Sequence, residues 1–370
     1  MTAAAGHAGA AGAAAPRARK RIHLAARFPG GDGTAGRTDP RSRSRADFAS
    51  FEAPARTAER GTFDFFLLAE EPRPHEHVGH PEPLTVLSAL AAVTDRLGLA
   101  ATADTTFNEP FELARRFATL DHLSAGRAAW HVVTSSGART GENFRRGGFL
   151  DRAGRRTRAA EFVRTARELW DSWTPPVPGS PDGAPRPFAH SGPQFEIAGE
   201  FTVPRSPQGH PVIILAGECG EARESAARAA DVLLTRGGTL EAGRAFYADT
   251  KARLAAYGRK PDDLKIMPGV TVVLGDSDSD TAAREHTAYD PDGPRFFTGT
   301  PETVAAEMDA FVSAGAADGF LLLPPPTPGG LDAFVDRVVP LLRERGALRT
   351  EYEGTTLRSH LGLPDPVNPV

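Results

Sequence analysis

One segment, residues 111–137, constrains the fold more than any other part of the chain (FELARRFATLDHLSAGRAAWHVVTSSG). It begins with the apolar spacing of an amphipathic helix, passes through a Ser-Ala-Gly turn, and ends as a short apolar strand. The strand leads into three hydroxyl side chains at Thr134, Ser135 and Ser136. A helix followed by a buried strand is the repeating step of parallel α/β folds, in which ligands bind at the carboxyl ends of the strands. The segment therefore indicates both the architecture and the place to look for chemistry.

The same alternation continues along most of the chain. Eight short apolar runs are predicted to be strands: residues 21–25, 63–68, 97–102, 127–133, 211–217, 231–235, 264–274 and 318–323. Helical periodicity between them predicts eight helices: residues 46–60, 83–96, 110–123, 156–173, 221–230, 240–257, 301–314 and 331–345. Most strand runs are continuously apolar, as expected of strands covered on both faces. This strict alternation predicts a (β/α)₈ barrel, because doubly wound sheets usually end at about five or six strands.

The predicted domain organisation is a single barrel with short additions. The chain has 370 residues, of which 40% are hydrophobic, enough for one large α/β barrel. Residues 1–18 are rich in Ala and Gly and are predicted to be a disordered tail. The barrel is predicted to span residues 19–350, with a Pro/Gly-rich loop and a hairpin at 194–204 inserted within residues 173–211. Residues 351–370 are predicted to be a C-terminal extension.

Charge and cysteine content exclude several classes of protein. The formal net charge is -4, so neither nucleic acid nor an anionic membrane is expected as a partner. Cys219 is the sole cysteine, which excludes an internal disulfide. No apolar run reaches the roughly 18–20 residues of a membrane-spanning helix, and the charge order at the N-terminus is the reverse of a signal peptide. A cytoplasmic protein is expected.

Generic motifs leave the chemistry open. His75 and His77, together with Glu70 and Glu71, have the residue types of a metal site, but a solvated, Pro-interrupted loop is the favoured interpretation and no metal is predicted. The hydroxyls after the fourth strand are interpreted as a ligand shell, since no base for a nucleophile is identifiable. Cys219 precedes a helix after a Gly-bearing turn, where an anion seat, a reactive thiol and simple packing all remain possible.

A series of longer motifs resembles a known family. In chain order they are AERGTFDFFLLAE from Ala58, NEPFELARRFATLDHLSAGRAAWHVVTSS from Asn108, LWDSW from Leu169, FTVPRSPQGHPVIILAG from Phe201, GTPETVA from Gly299, AADGFLLLP from Ala316 and FVDRVVPLLRERGALRTEYEGTTLR from Phe334. The chain resembles the bacterial-luciferase-like flavin-dependent monooxygenases, in the branch of nitrilotriacetate and dibenzothiophene-sulfone monooxygenases and pristinamycin synthase. The resemblance implies a homodimeric barrel that takes reduced FMN from a separate reductase and uses O₂ to oxygenate a small or medium organic molecule.

The resemblance also implies a set of site residues. The implied cofactor-binding positions are Glu70, Thr102, Asp104, His131, Ser135, Arg152, Arg156, Gly217 and Cys219. The candidate catalytic residues are His131 and Asp104.

Several of these positions depart from the family pattern. Glu70 stands where the family has Asp, Asp104 adds a carboxylate to the third strand, and His131 replaces an amide. Glu218-Cys219 occupies the place of the phosphate-binding Ser. A carboxylate about 4 Å from the phosphate would cost about 4 kcal/mol per charge pair at an effective dielectric of about 20, and Arg152 and Arg156 are expected to offset it.

The family's insertion between the seventh strand and seventh helix is also expected to be shortened here, at residues 275–299, which would uncover the site.

The leading hypothesis is an FMN-dependent monooxygenase. The first alternative is a barrel with lost or altered flavin binding, in which His131 and Asp104 perform acid/base chemistry on an anionic substrate. The second is a catalytically silent partner subunit of a related barrel.

Overall fold

The computed structural model describes residues 20–28, 47–69, 81–135, 150–175, 177–178, 183–276, 295–323 and 330–368. The strands in these ranges are β1 (His23–Arg27), β2 (Phe65–Leu68), β3 (Gly98–Asp104), β4 (Ala128–Val133), β5 (Pro187–Ser191), β6 (Glu196–Glu200), β7 (Val212–Ala216), β8 (Val232–Thr235), β9 (Lys265–Leu274), β10 (Arg295–Gly299) and β11 (Gly319–Leu322). The helices are α1 (Ala49–Arg60), α2 (Pro83–Ala91), α3 (Pro110–Leu123), α4 (Arg152–Trp170), α5 (Gly220–Ala229), α6 (Leu240–Arg253), α7 (Pro301–Ser313), α8 (Gly330–Arg337), α9 (Val339–Glu344) and α10 (Leu357–His360).

Eight of the strands close into a parallel barrel. Their order is β1-β2-β3-β4-β7-β8-β9-β11, and the parallel pairing of β11 with β1 closes the ring. The remaining neighbouring pairs are parallel as well. The (β/α)₈ barrel predicted from the sequence is confirmed, and each predicted barrel strand is present.

Local capping chemistry explains where two helices differ from their predicted bounds. Helix α2 ends at Ala91 rather than at residue 96, because Glu59 Oε1 accepts the backbone N–H groups of Asp95, Arg96 and Leu97 and holds them in a turn. Helix α4 begins at residue 152 rather than at 156, because Asp151 caps it by accepting the Gly154 N–H at 2.6 Å.

Two further elements differ from the prediction. The inserted hairpin consists of the antiparallel strands β5 and β6, so it spans residues 187–200 rather than 194–204. Its first strand lies in a stretch whose Pro and Gly content favours a loop. The second difference is β10, which occupies part of the predicted loop at 275–299 and pairs with the second half of β9, from Val270 to Leu274. Residues 277–294 of that loop lie outside the described ranges.

The barrel interior is closed at its amino-terminal end by the C-terminal segment. The interior cluster includes Ala25, Phe65, Ala129, Ile214 and Met267, together with Leu357, Leu361 and Leu363. The Leu357 N–H donates to the Gly126 carbonyl, just before β4, at 2.9 Å. This packing fills the end of the barrel opposite the strands' carboxyl termini, where ligands bind in such folds. In the described part of the chain, no helix is both long and apolar enough to cross a membrane.

Candidate active site

A polar pair lies at the carboxyl end of β3 and β4. Thr102 and His131 are direct neighbours in the parallel register, and Thr102 Oγ1 lies 3.0 Å from His131 Nδ1. Thr102 is buried, whereas His131 is partly exposed. The hydroxyl therefore fixes the orientation of an imidazole ring at the carboxyl end of the barrel.

Asp104, the last residue of β3, joins the loops that follow β3 and β4. Its Oδ1 accepts the N–H groups of Thr106 at 2.6 Å and Phe107 at 3.1 Å, and its Oδ2 accepts the N–H of Ser135. Three backbone donors compensate its negative charge, which is the condition under which a carboxylate in this position is tolerated. Both oxygens of Asp104 are thus engaged in holding the loops that follow β3 and β4.

Arg158 on α4 reinforces the first of these loops, and sequence reasoning missed it. The side chain is buried, and it donates from Nε to the Thr105 carbonyl and from Nη2 to the Asn108 carbonyl, both at 2.9 Å. Its guanidinium also lies 4.3 Å from the Phe195 ring centroid. In the sequence it is one of several arginines on a polar helix, so no local signal distinguishes it from its exposed neighbours.

The loop after β7 has the backbone geometry of an anion seat. Gly217 has φ +142°, and a Cβ at this position would lie 2.8 Å from the Ala222 Cβ, so only glycine fits without strain. The loop leads directly into α5, with the exposed Cys219 at its N-cap. The nearby Ala222 N–H and the guanidinium groups of Arg156 and Arg152 lower the pKa of the Cys219 thiol. This helix end therefore stabilises negative charge.

Two arginines from α4 reach the same helix end. Arg156 Nη2 lies 3.8 Å from Cys219 Sγ, and Arg156 Nη1 bonds to Glu221 Oε2. Arg152 Nη2 lies 3.6 Å from the same carboxylate oxygen. Both arginines keep solvent-accessible side chains, with 69% of Arg152 and 36% of Arg156 exposed. The arrangement can receive a phosphate if the guanidinium groups exchange Glu221 for it.

Glu218 does not have the position expected from its place in the sequence. Its Oε1 accepts the backbone N–H of Arg236, in the loop after β8, at 2.9 Å. The carboxylate that meets Arg152 and Arg156 is Glu221, in the first turn of α5. The acidic competitor near the anion seat is therefore Glu221, a residue that the sequence analysis did not single out.

The structure thus brings the predicted site residues together in two groups. Thr102, Asp104, His131 and Ser135 surround the ends of β3 and β4, while Arg152, Arg156, Gly217 and Cys219 surround the start of α5. Glu70 and the His75–His77 pair with Glu71 lie outside the described residues. Within the described ranges, no group of three or more His, Cys, Asp or Glu side chains is placed to hold a metal ion.

The fold is that of a (β/α)₈-barrel protein with polar residues at the carboxyl ends of its strands, and sequence comparison identifies the family. A profile described as luciferase-like monooxygenase matches residues 22–293, and the chain belongs to this family. The resemblance inferred from the motifs is confirmed.

Individual relatives match nearly the whole chain. N-acetyl-S-(2-succino)cysteine monooxygenase of Bacillus subtilis is 38% identical, over 86% of this chain and 90% of the relative. Nitrilotriacetate monooxygenase component A of Aminobacter aminovorans is 36% identical, over 85% of this chain and 90% of the relative. The solved structure of EDTA monooxygenase from Chelativorans sp. BNC1 superposes with a TM-score of 0.81 and 26% identity, covering 94% of this chain and 99% of that one.

Proposed function

We propose that the protein is an FMN-dependent monooxygenase that receives reduced FMN from a separate reductase and uses O₂ to oxygenate a small or medium organic molecule. The observation that carries the proposal is the family match over most of the chain, with monooxygenases among the relatives at 36% and 38% identity. When bound, reduced FMN supplies the oxygen chemistry, and the protein contributes position, polarity and exclusion of water.

The loop between β7 and α5 fits the FMN phosphate. Gly217 brings the backbone close without a side chain, and the start of α5 offers unpaired N–H groups and the positive end of a helix dipole. Arg156 and Arg152 add two guanidinium groups within reach of that point. These donors offset the loss of the Ser that the family uses here, because Cys219 is a weaker hydrogen-bonding group.

The polar pair on β3 and β4 fits the edge of the flavin ring. Thr102 holds the imidazole of His131 in one orientation, so His131 presents a fixed hydrogen-bonding group where the family has an amide. Asp104 acts on the same site as a positioning residue, because its carboxylate holds the loops that begin at Thr105 and Thr134. In this account neither residue needs to change its protonation state during turnover.

The acid/base alternative finds little support in the same geometry. It requires Asp104 and His131 to exchange protons with a substrate as a pair. Asp104 accepts three backbone N–H groups, and the hydrogen bond of His131 Nδ1 runs to Thr102. A general base needs an oxygen or nitrogen within reach of the substrate proton, and a carboxylate that already accepts three backbone N–H groups is poorly suited to that task.

We further propose a cytoplasmic homodimer that works beside its reductase. The Aminobacter relative is named as component A, which supports a system with more than one protein. Light scattering after size exclusion tests the dimer, and a mass of one chain of 39.2 kDa contradicts it.

The experiment that tests the function is a coupled reaction under ¹⁸O₂. The purified protein is combined with a flavin reductase, NADH and FMN, and with a panel of aminopolycarboxylates, thioethers, sulfones and alkanes. We expect one ¹⁸O atom in the product of one substrate class, and strong loss of product with Arg156→Gln. Arg116→Gln, which removes an exposed arginine from α3, is the matched control. A protein that binds reduced FMN and still transfers no oxygen to any class would contradict the proposed reaction.

A further inference from the structure

A cavity lies at the amino-terminal end of the barrel, opposite the proposed flavin site. Its volume is about 290 Å³. It is bordered by the segment that enters β1, by the start of β9 and by the C-terminal helix α10, so it lies beneath the interior cluster. This volume is at the small end of the range of ligand pockets.

Lys265, the first residue of β9, supplies an uncompensated positive charge to this cavity. It is two residues before Met267, which belongs to the interior cluster, so both side chains lie on the inner face of β9. Only 7% of Lys265 is exposed. Within the described ranges its Nζ makes no hydrogen bond and no ion pair shorter than 4.0 Å. The side chain is largely buried, and an anion bound in the cavity would compensate the charge of its ammonium.

The other cations in the wall already have carboxylate partners. Lys20 Nζ lies 3.6 Å from Asp318 Oδ1, and Arg21 pairs with Glu353. The remaining arginine of the wall, Arg349, lies 2.9 Å from Asp64 Oδ1. With these three pairs formed, Lys265 is the cation of the described wall that has no carboxylate within 4.0 Å.

Two neighbouring charged groups, Asp262 and Lys251, bear on the charge of Lys265. The wall also includes Asp262, but it is exposed and forms no ion pair with Lys265 within 4.0 Å. Behind the wall, burial lowers the pKa of Lys251, and the charge of Lys265 lowers it further despite a 2.8 Å contact with Asp318. The positive potential around Lys265 therefore extends beyond its own side chain.

The rest of the wall is neutral or apolar. Burial and the nearby Arg349 lower the pKa of His360 to about 4, so its ring is uncharged at neutral pH. Ile22 and Leu361 add apolar surface. A ligand for such a cavity has one oxyanion group for the ammonium and a small body for the apolar part.

We propose that this cavity is a binding site for a small oxyanion, a phosphate or carboxylate group that pairs with the ammonium of Lys265. The site is separate from the flavin site and does not depend on the proposed oxygenation. Because α10 forms part of the cavity wall, ligand binding there would be coupled to the C-terminal segment that closes the barrel.

The test is a titration with inorganic phosphate, followed by ³¹P line broadening and by calorimetry. In the Arg152→Gln with Arg156→Gln background, which removes the arginines of the proposed flavin site, we expect saturable binding, and at least tenfold weaker binding when Lys265→Met is added. Lys260→Gln removes an exposed charge five residues away, outside the wall, and should leave the affinity within about twofold.

A thermal measurement keeps the test decisive if one variant folds poorly. In the Arg152→Gln with Arg156→Gln background, phosphate should raise the Tm, and it should not do so when Lys265→Met or Lys265→Gln is added, because a ligand stabilises only the state that binds it. A parallel titration with succinate shows whether phosphate or carboxylate is preferred. Absence of saturable binding of either anion below about 10 mM, or equal binding with and without a Lys265 substitution in this background, would overturn the proposal.

Discussion

The hydroxyl of Thr102 lies 3.0 Å from Nδ1 of His131, across the ladder that joins β3 to β4. Two adjacent strands of a closed barrel carry the pair, so its geometry is set by the scaffold rather than by a loop. The same two strands end in the loops that Asp104 joins. The orientation of His131 and the shape of the loops above it therefore depend on one short stretch of ladder.

Removing the Thr102 hydroxyl should impair oxygenation more than folding. Thr102→Val keeps the shape of the side chain but releases the imidazole, and we expect at least a tenfold fall in kcat/KM with a stability loss of about 1 kcal/mol. Thr102→Ser keeps the hydroxyl and should stay within about threefold of the wild-type rate. Stopped-flow turnover and urea unfolding measure the two effects. Unchanged kinetics in Thr102→Val would show that the contact has no role in the reaction.

Asp104 should tolerate loss of its charge better than loss of its oxygens. Asp104→Asn retains one acceptor oxygen for the loop N–H groups, whereas Asp104→Ala leaves three partly buried donors without this acceptor. We expect a destabilisation of about 1–3 kcal/mol in the Ala variant and clearly less in the Asn variant. The pH profile of turnover should be unchanged in Asp104→Asn. Loss of one limb of that profile would instead assign Asp104 a role in proton transfer.

Glu221 should weaken flavin binding because it pairs with Arg152 and Arg156, the arginines proposed to bind the phosphate. Glu221→Gln removes a carboxylate that pairs with Arg152 and Arg156 at the start of α5. Because these side chains are exposed, we expect only a two- to fivefold gain in FMN affinity, which fades as salt is raised. Glu218→Gln is the comparison, since its carboxylate bonds to the Arg236 N–H and should matter less. Fluorescence titration measures both. A weaker affinity in Glu221→Gln would mean that Glu221 orients the arginines productively.

Protonation of His360 should limit stability in acid. Burial and Arg349 lower its pKa to about 4, below the ordinary value of 6.5, so folding favours the neutral ring. The stability that this provides is complete above pH 6.5 and is lost as the pH falls from 6.5 toward 4. The loss amounts to about 3 kcal/mol. His360→Phe, which keeps an aromatic ring against Tyr352, should flatten this part of the urea-unfolding profile. An equally steep profile in the variant would contradict the assignment.

The barrel could be predicted from the sequence because its apolar strand segments have few alternative structures. A run such as residues 127–133 is continuously apolar and bounded by a turn, so burial on both faces is its favourable state. Strand β10 gives no such signal. It is short, and it forms because the ten-residue β9 extends past its neighbours and leaves an edge from Val270 to Leu274. The local sequence of β10 does not show that β9 is long enough to provide this edge.

The site was less predictable because its contacts depend on three-dimensional approach. Sequence placed Glu218 beside the anion seat, but its side chain turns to the loop after β8, and Glu221 meets the arginines instead. The role of Asp104 likewise depends on Ser135, which is 31 residues away. Residue types and their order indicated a candidate site, while the pairing of its charges required the fold.

An anaerobic titration with reduced FMN tests the central claim most directly. The account predicts saturable binding in the micromolar range, weakened at least tenfold when Arg152 and Arg156 are both changed to Gln and unaffected by Arg116→Gln. Tryptophan fluorescence and equilibrium dialysis are independent readouts of the same constant. If a folded wild-type protein binds neither reduced nor oxidised FMN, the account of this barrel as an FMN-dependent monooxygenase is contradicted.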